Sequence, residues 1–380
     1  MSRKSQVKTT TIAAGHIGWL EAVAIILIYV TTKVFTIFPA RMSRAAQTAA
    51  WSVPIFSGLI SVLWIWALVS VLKENPGKDI ITISRTLFGP YVAFALGVVF
   101  YLFNLGIVVT GVGEMADTMV TILLPLTPEI FLISITLAVS LYIALKGIEV
   151  LGRVCVITAS VMIGLLVVLS AMSANMWLVD SVFPLLGPGV GGLLKTYGVR
   201  QSIYGEVLSL GVVAPYLRKP GDTGKVAGWA VSLIAIILSL AVLTCQMVFP
   251  YPSLDRAVEP LLRVTRIVNL GRFFQRFEVV LAPAWLAAGH VQIAIGILVA
   301  SLALGSTLNT KRLNLLTVIT AALAVGASQL LPNMATVMVV DFDILRPYSV
   351  ILLDTWPIAL WAVSLYRKRS GQGKGGQQTK

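Results

Sequence analysis

Ten apolar segments divide the chain, and each is long enough to cross a lipid bilayer. A membrane-spanning helix needs about 20 predominantly apolar residues. Segments of this length recur at about 17–40, 50–73, 90–124, 129–146, 149–173, 188–217, 225–250, 278–306, 312–331 and 347–366. We therefore predict an all-α polytopic membrane protein with about ten transmembrane helices, which form one domain over residues 1–366.

The composition excludes a soluble protein and argues against a nucleic-acid-binding one. Charged residues make up 12% of the chain, whereas soluble domains contain about 25%. The formal net charge is +13, but no basic stripe interleaved with aromatic residues accompanies it. The charge instead indicates Lys and Arg in cytoplasmic loops, so we expect membrane lipid and no nucleic acid as a partner.

The distribution of Lys and Arg predicts that both termini are cytoplasmic. With the N-terminus inside, most Lys and Arg fall in inner loops, and Arg346 is among those that fall outside. The outer segment 253–276 is an exception rich in Arg. Its amphipathic spacing predicts a pair of surface helices that forms either a lid or a docking face. The tail 367–380 is rich in Gly, Gln and Lys and is predicted to be disordered.

Nothing in the sequence indicates an enzyme, a cofactor or a metal site. Cys155 and Cys245 lie within apolar segments and are predicted to be buried small side chains. His16 and His290 are far apart in the sequence and have no neighbouring cysteines, unlike the ligands of a metal site. No phosphate-binding loop, nucleophile elbow or protease motif is present.

Two of the ten segments are interrupted by residues that disfavour a continuous helix. The sixth contains the pair Gly205-Glu206, and the first contains Thr31-Thr32-Lys33 before Pro39. These segments are five apart, so they occupy matching positions if the helices form two five-helix repeats. Interrupted helices at matching positions indicate a transporter-type binding site near the bilayer midplane.

Glu206 is the main candidate within this site, because a carboxylate inside a membrane is costly and is normally functional. Gly205 allows the backbone to leave helical geometry, and Glu206 is then expected to begin the second half-helix. There it can receive a ligand ammonium or pair with a cation. The alternative is an internal pair with Arg200, Lys33 or another buried donor, without a ligand.

Lys33 also has two interpretations. Its side chain either extends to the outer interface, or stands as a fixed cation at the helix break and meets a carboxylate or replaces a metal ion. The predicted ligand-binding residues are Thr31, Thr32, Lys33, Ser202, Tyr204, Gly205 and Glu206. The ligand is expected between the first, third, sixth and eighth segments.

The third segment contains a second pair of carboxylates. Glu114 and Asp117 are three residues apart and therefore share one face of a helix. They are candidates for a proton or cation relay. A structural role at the membrane interface, with nearby arginines, explains them equally well.

Short motifs in a fixed order give the chain a resemblance to a known family. The chain resembles the GerB-type spore germination permeases, the B subunits of bacterial spore germinant receptors, within the amino acid–polyamine–organocation superfamily. The matching motifs cover nearly the whole chain and are Phe38-Pro39, Asn75-Pro76-Gly77-Lys78, Glu114 with Asp117, Leu124-Pro125-Leu126-Thr127-Pro128, Lys146-Gly147-Ile148-Glu149-Val150 with Arg153, Ser202 with Tyr204-Gly205-Glu206, Phe274-x-Arg276-Phe277-Glu278 with Trp285, and Leu331-Pro332-Asn333.

The resemblance implies a LeuT-like fold of inverted five-helix repeats with broken first and sixth helices. It implies a receptor in the spore inner membrane, assembled with an A-type and a C-type subunit. The germinant, often an amino acid, is implied to bind near the two breaks and to trigger germination. This chain departs from the family at the first break, where Thr32-Lys33-Val34 replaces the usual Gly-x-Gly. A narrower cavity with a fixed positive charge is expected there, with a divergent specificity or no ligand.

Three functions remain open from the sequence. The first is a germinant-sensing receptor subunit, which the ordered motifs favour. The second is a secondary transporter of amino acids or a cation, which uses the same cavity with alternating access. The third is a scaffold subunit without a ligand of its own, which the altered first break supports.

Overall fold

The protein is helical over the part of the chain that a computed structural model describes, which is 15–122, 124–268, 277–331 and 333–375. Within these residues there is no β-strand, only an isolated parallel bridge between Ile17 and Leu217. The α-helices are α1 (Trp19–Thr31), α2 (Phe38–Ala46), α3 (Val53–Glu74), α4 (Ile80–Phe88), α5 (Pro90–Ile122), α6 (Glu129–Leu145), α7 (Ile148–Met172), α8 (Val190–Arg200), α9 (Leu210–Val213), α10 (Thr223–Val248), α11 (Pro260–Ile267), α12 (Glu278–Thr307), α13 (Leu313–Ser328), α14 (Met334–Met338) and α15 (Arg346–Gly375).

Among the described residues, seven helical stretches account for seven of the predicted spans. Five are long and apolar enough to cross a membrane. Two shorter apolar helices, Glu129–Leu145 and Leu313–Ser328, accompany them. The three predicted spans that remain are the first, the sixth and the tenth. The first and the sixth are interrupted by backbone that is not α-helical, whereas the tenth lies within α15.

The predicted interruptions of the first and sixth spans are present. In the first, α1 gives way to a 3₁₀ turn at Thr32–Phe35, and α2 begins at Phe38 with Pro39 in its first turn. In the sixth, a 3₁₀ stretch at Gln201–Ser209 separates α8 from α9. Glu206 therefore lies within the 3₁₀ stretch and does not begin a half-helix, because α-helical bonding resumes only at Leu210.

The tenth span differs from its prediction. It starts earlier, with α14, and passes through a π-helix at Val339–Leu345 into α15. The placement of Arg346 in an outer loop is therefore wrong, since its side chain is 5% exposed inside the bundle. The predicted segment began only after the last charged residue, because an apolar pattern excludes charges. Opposite charges that pair within the bundle can nevertheless lie inside a membrane span.

The described part of the C-terminal tail is helical, where the composition predicts disorder. Helix α15 continues to Gly375. Arg367 donates to the carbonyl oxygens of Thr86 and Leu87, at 3.1 and 2.9 Å, and Lys368 pairs with Glu74 at 2.7 Å. These contacts hold the start of the tail against the bundle, and residues 376–380 lie outside the described part.

The segment 253–276 is described only to residue 268. It contains a 3₁₀ turn at Leu254–Arg256 and one helix, α11, whose apolar side chains pack inward onto α10 and α12 and beside the first break. Arg44 of α2 pairs with Asp255 at 2.7 Å and ties the segment to the first span. The predicted second surface helix falls in 269–276, as do Phe274 and Arg276 of the family motif; like Pro332, these lie outside the described residues.

A glycine lets the sixth span pack tightly against α3. The Tyr204 hydroxyl donates to the Pro54 carbonyl oxygen at 2.6 Å, and a Cβ on Gly58 would lie 2.6 Å from that hydroxyl. Tyr204 is fully buried, so it has little room to move away. Close packing of the two segments therefore requires glycine at this position.

We expect Gly58→Ala to lower the melting temperature of the purified protein, because the new methyl group displaces a buried side chain. Overpacking of this kind costs about 1–3 kcal/mol. The matched control is Gly164→Ala in α7, where a Cβ would meet nothing within 4 Å. That variant is expected to be neutral or slightly stabilised, since Ala favours a helix by about 0.5–1 kcal/mol. Equal melting temperatures for the two variants would contradict the packing argument.

Candidate functional site

A single buried carboxylate joins the first, sixth and tenth spans. The Oε1 atom of Glu206 accepts a hydrogen bond from the Lys33 ammonium at 3.0 Å. The same atom accepts from both Nη1 and Nη2 of Arg346, each at 3.1 Å. The three side chains are at most 5% exposed. Two non-helical breaks and the start of α15 therefore meet at one oxygen atom.

The π-helix places a second carboxylate on the same guanidinium. Arg346 Nε donates to Asp341 Oδ2 at 2.8 Å. These two residues are five apart, which is the hydrogen-bond spacing of a π-helix and brings them to one face. The Phe342 ring lies between two guanidinium groups, 5.7 Å from Arg346 and 5.5 Å from Arg41, and Arg41 is 3.9 Å from Asp343. A row of charged side chains thus lies between the first and tenth spans.

Charge balance makes this cluster tolerable inside the bundle. Burying one ion costs several kcal/mol unless an opposite charge and hydrogen bonds compensate it. Lys33 and Arg346 supply two positive charges, and Glu206 and Asp341 supply two negative ones. Glu114 of α5 lies beside Thr36 and within electrostatic range of the cluster. A third carboxylate therefore borders the site from the third span.

Lys33 points into the protein and not toward the membrane interface. Besides Glu206, its ammonium donates to the carbonyl oxygen of Ile203 at 3.3 Å. That carbonyl belongs to the unwound stretch of the sixth span. Of the two interpretations of Lys33, the structure has the cation that meets a carboxylate. Of the internal partners predicted for Glu206, Lys33 is confirmed. The second partner is not Arg200 but Arg346, a donor that was expected outside the spans.

The other predicted ligand-binding residues bond elsewhere. The hydroxyls of Thr31, Thr32 and Ser202 donate to backbone carbonyl oxygens of the preceding turn, at 2.8, 2.6 and 3.1 Å. Tyr204 bonds to α3, as described above, and Gly205 contributes backbone to the 3₁₀ stretch. Lys33 and Glu206 are thus the two predicted residues whose charged groups meet. The ligand-binding role of all seven stays a prediction.

The two carboxylates of the third span have different surroundings. Glu114 is near the central cluster, whereas Asp117 is within electrostatic range of Glu129 and Glu259. Glu259 precedes α11, outside the spans, and burial raises the pKa of its carboxyl group above the ordinary value. Buried and half-buried carboxylates thus follow one another from the cluster toward the α11 side, and the relay itself stays a prediction.

Two buried oxygen atoms of the cluster lack a hydrogen-bond partner. They are Oε2 of Glu206 and Oδ1 of Asp341. Carboxylate oxygens are hydrogen-bond acceptors, so both atoms can accept from a further donor group. Among the described residues no group of three or more His, Cys, Asp or Glu side chains is arranged to hold a metal ion.

Two larger cavities lie away from the cluster, at opposite ends of the bundle. One, of about 530 Å³, lies on the side where α15 ends and is lined by polar residues that include Asp79, Ser306 and Lys311. The other, of about 580 Å³, is lined by Trp177, Asp180 and other residues near the start of the sixth span. Neither is lined by Lys33, Glu206 or Arg346. The cluster is therefore separated from both cavities.

Sequence reasoning missed Asp341 and Arg346, the tenth-span members of the cluster. The signal was present as two opposite charges five residues apart, directly before an apolar segment. Two residues that are five apart do not lie side by side on a regular α-helix, where side chains interact at spacings of three and four. Only the π-helical geometry makes this pair recognisable.

The chain is similar in sequence to spore germination proteins. A family profile described as "Spore germination protein" matches residues 16–333, which ends before Asp341. "Spore germination protein B2" of Bacillus subtilis is 20% identical over 337 residues, covering 88% of this chain and 92% of that protein. "Spore germination protein YndE" of the same organism is 20% identical, covering 92% and 96%. "Spore germination protein KB" is 21% identical and covers 65% and 67%.

The chain is similar in structure to transporters. A sodium-coupled sialic acid symporter in its substrate-bound outward-open state has a TM-score of 0.61 and 13% identity, covering 90% of both chains. MhsT in complex with L-phenylalanine has a TM-score of 0.60 and 15% identity, covering 89% of this chain and 88% of that chain. At such identities the likeness shows the fold alone. It confirms the predicted LeuT-like fold with broken first and sixth helices.

We expect Arg346→Gln to destabilise the protein by about 3–5 kcal/mol, since removal of one partner leaves buried carboxylates uncompensated. The measurement is thermal unfolding in detergent. Arg153→Gln serves as the control, because Arg153 pairs with Glu149 on the surface, where such a pair contributes about 0.3–0.5 kcal/mol. A similar small effect for both variants would refute the structural role of the cluster.

Proposed function

Because the chain belongs to the spore germination protein family, we propose that it is the membrane-embedded subunit of a spore germinant receptor. In this role it senses a small germinant, most simply an amino acid, and triggers germination. The family match over residues 16–333 carries the proposal. Both family and fold are of the receptor and transporter type and not of an enzyme type.

The sensing site we propose is the region around the two helix breaks, with Glu206 at its centre. The geometry supports this choice because one carboxylate holds three spans together. A ligand shifts a conformational equilibrium only if it interacts differently with the two states. A germinant that changes the pairing of Glu206 meets this condition, since each pair links different helices. Thr31, Thr32, Ser202, Tyr204 and Gly205 shape the backbone around the same place.

We further propose the surroundings in which the subunit works. The chain is a multi-pass membrane protein, and we place it in the inner membrane of a spore with both termini cytoplasmic, since most Lys and Arg lie on that side. Exposed apolar side chains of the long helices face lipid. The remaining partners are an A-type and a C-type receptor subunit. Glu114 and Asp117 form a proton or cation relay toward the α11 side.

A secondary transporter of amino acids or a cation is the second candidate. The likeness to a sodium-coupled symporter over 90% of both chains favours it. The fold serves both functions equally, because each requires a site between broken helices and a change of conformation. The sequence relatives favour the receptor.

We expect Glu206→Gln to abolish or strongly weaken the response of spores to their germinant. The substitution keeps the shape but removes the charge that pairs with Lys33 and Arg346. The measurement is the loss of optical density of a spore suspension after germinant is added. Glu149→Gln, at the surface pair with Arg153, is the control. Both variants must accumulate to equal amounts by immunoblot, and an unchanged response of Glu206→Gln would remove Glu206 from the site.

Proteoliposomes distinguish the two candidate functions. We expect the receptor subunit to bind a labelled amino acid saturably without accumulating it when an ion gradient is imposed. A transporter with the same site accumulates the label against its gradient. Gradient-driven accumulation by this chain would therefore favour the second candidate.

A further inference from the structure

The side chain of Lys33 occupies the position in which a ligand ammonium would meet Glu206. Its Nζ lies 3.0 Å from Glu206 Oε1 and 3.3 Å from the carbonyl oxygen of Ile203. An ammonium group has three donors and no acceptor. A carboxylate and a backbone carbonyl of the 3₁₀ stretch are the groups that would bind the ammonium of a free ligand. The protein thus satisfies an ammonium site with one of its own residues.

The position of Lys33 in the chain strengthens this view. Lys33 lies in the 3₁₀ turn of the first break, and both of its acceptors lie in the 3₁₀ stretch of the sixth break. Lys33 therefore connects the two breaks directly by its side chain. Arg346 binds Glu206 from the tenth span and does not connect the breaks. Loss of the Lys33 contact alone would remove the salt bridge between the first and sixth breaks while Glu206 keeps a cationic partner.

We propose that Lys33 is a tethered ligand of the ammonium subsite at Glu206 and Ile203, and that it competes with the ammonium of a free amine or amino acid. The inference rests on the proposed function in so far as that free ligand is the germinant. It assigns the ligand to the class of primary amines. It also assigns the signal to release of Lys33, which uncouples the two breaks.

Because Lys33 is attached to the chain beside its acceptors, a free amine displaces it only with difficulty. A group held beside its partner by the chain acts at an effective concentration in the millimolar range or above. A free amine must exceed this internal competitor before it occupies the subsite. The intact protein is therefore expected to bind simple amines weakly. Removal of Lys33 should increase amine affinity, which is the opposite of what loss of a ligand-binding residue does.

A truncation of Lys33 provides the test. Lys33→Ala keeps Cβ and removes Cγ, Cδ, Cε and Nζ, which together correspond to n-propylamine. We expect n-propylammonium to bind Lys33→Ala at least about tenfold more tightly than the intact protein. A ligand that binds the folded state stabilises it by mass action. At a probe concentration about tenfold above Kd, the melting temperature should rise by roughly 2 °C.

Four controls test whether the stabilisation depends on the charge of Glu206 and on removal of Lys33. 1-Propanol has a similar size but no charge, and should not raise the melting temperature of Lys33→Ala. The double variant Lys33→Ala with Glu206→Gln should not respond to n-propylammonium. Lys311→Ala, at an exposed lysine that lines a different cavity, should behave like the intact protein. Sodium chloride at equal ionic strength corrects for salt effects.

The outcomes separate the inference from the proposed function. If n-propylammonium stabilises Lys33→Ala no more than the intact protein, Lys33 is not a tethered ligand, whatever germination assays show. If n-propylammonium raises the melting temperature of Lys33→Ala but Glu206→Gln spores germinate normally, the ammonium subsite exists and is not the germinant site. Should Lys33→Ala fail to fold, Lys33→Ser is measured in its place, and absence of a probe effect there overturns the inference.

Discussion

The whole arrangement depends on one ionised carboxylate that has been removed from water. Glu206 is stable in the bundle only because two cations reach it, and these cations come from the first and the tenth spans. Coulomb attraction is strong in a medium of low dielectric constant, and so is the penalty for leaving a charge alone. The positions of three discontinuous helices are therefore coupled by electrostatics and not by apolar packing alone. The breaks supply backbone for this purpose, and the π-helix supplies the second carboxylate.

Much of the fold follows from the sequence, because a bilayer allows few solutions. A backbone in hydrocarbon must satisfy its own hydrogen bonds, so apolar segments of sufficient length become helices. The interruptions at Lys33 and at Gly205-Glu206 can also be predicted from the sequence, since Gly and charged residues disfavour a continuous membrane helix. The spans that the sequence misjudged are those where tertiary pairing overrides the local pattern, as at Arg346. Apolarity indicates where a helix can lie in lipid, but it does not indicate which charges a bundle can hold.

The candidate site was predicted less completely than the fold. Lys33 and Glu206 were identified individually, but their contact depends on how two unwound segments face each other, which no local pattern specifies. The hydroxyls of Thr31, Thr32 and Ser202 illustrate the limit. Their composition suits a ligand, yet each forms a hydrogen bond to the preceding turn, which is an ordinary alternative for such residues inside a helix. Side-chain chemistry in a sequence identifies groups able to bind, and only geometry tells which are already used.

Helix α15, which forms the tenth span, also has a mechanical consequence. It begins in the charge cluster at Arg346 and runs for 30 residues to Gly375, which corresponds to about 45 Å along its axis. Near its far end Arg367 and Lys368 hold carbonyl oxygens of α4 and the carboxylate of Glu74. One helix therefore carries charged contacts at its start and again near its far end. The π-helix, a rare departure from α-helical geometry, lies directly before Arg346. A rearrangement of side chains beside Glu206 can thus be transmitted along this rigid helix to contacts about 30 Å away, at Arg367 and Lys368.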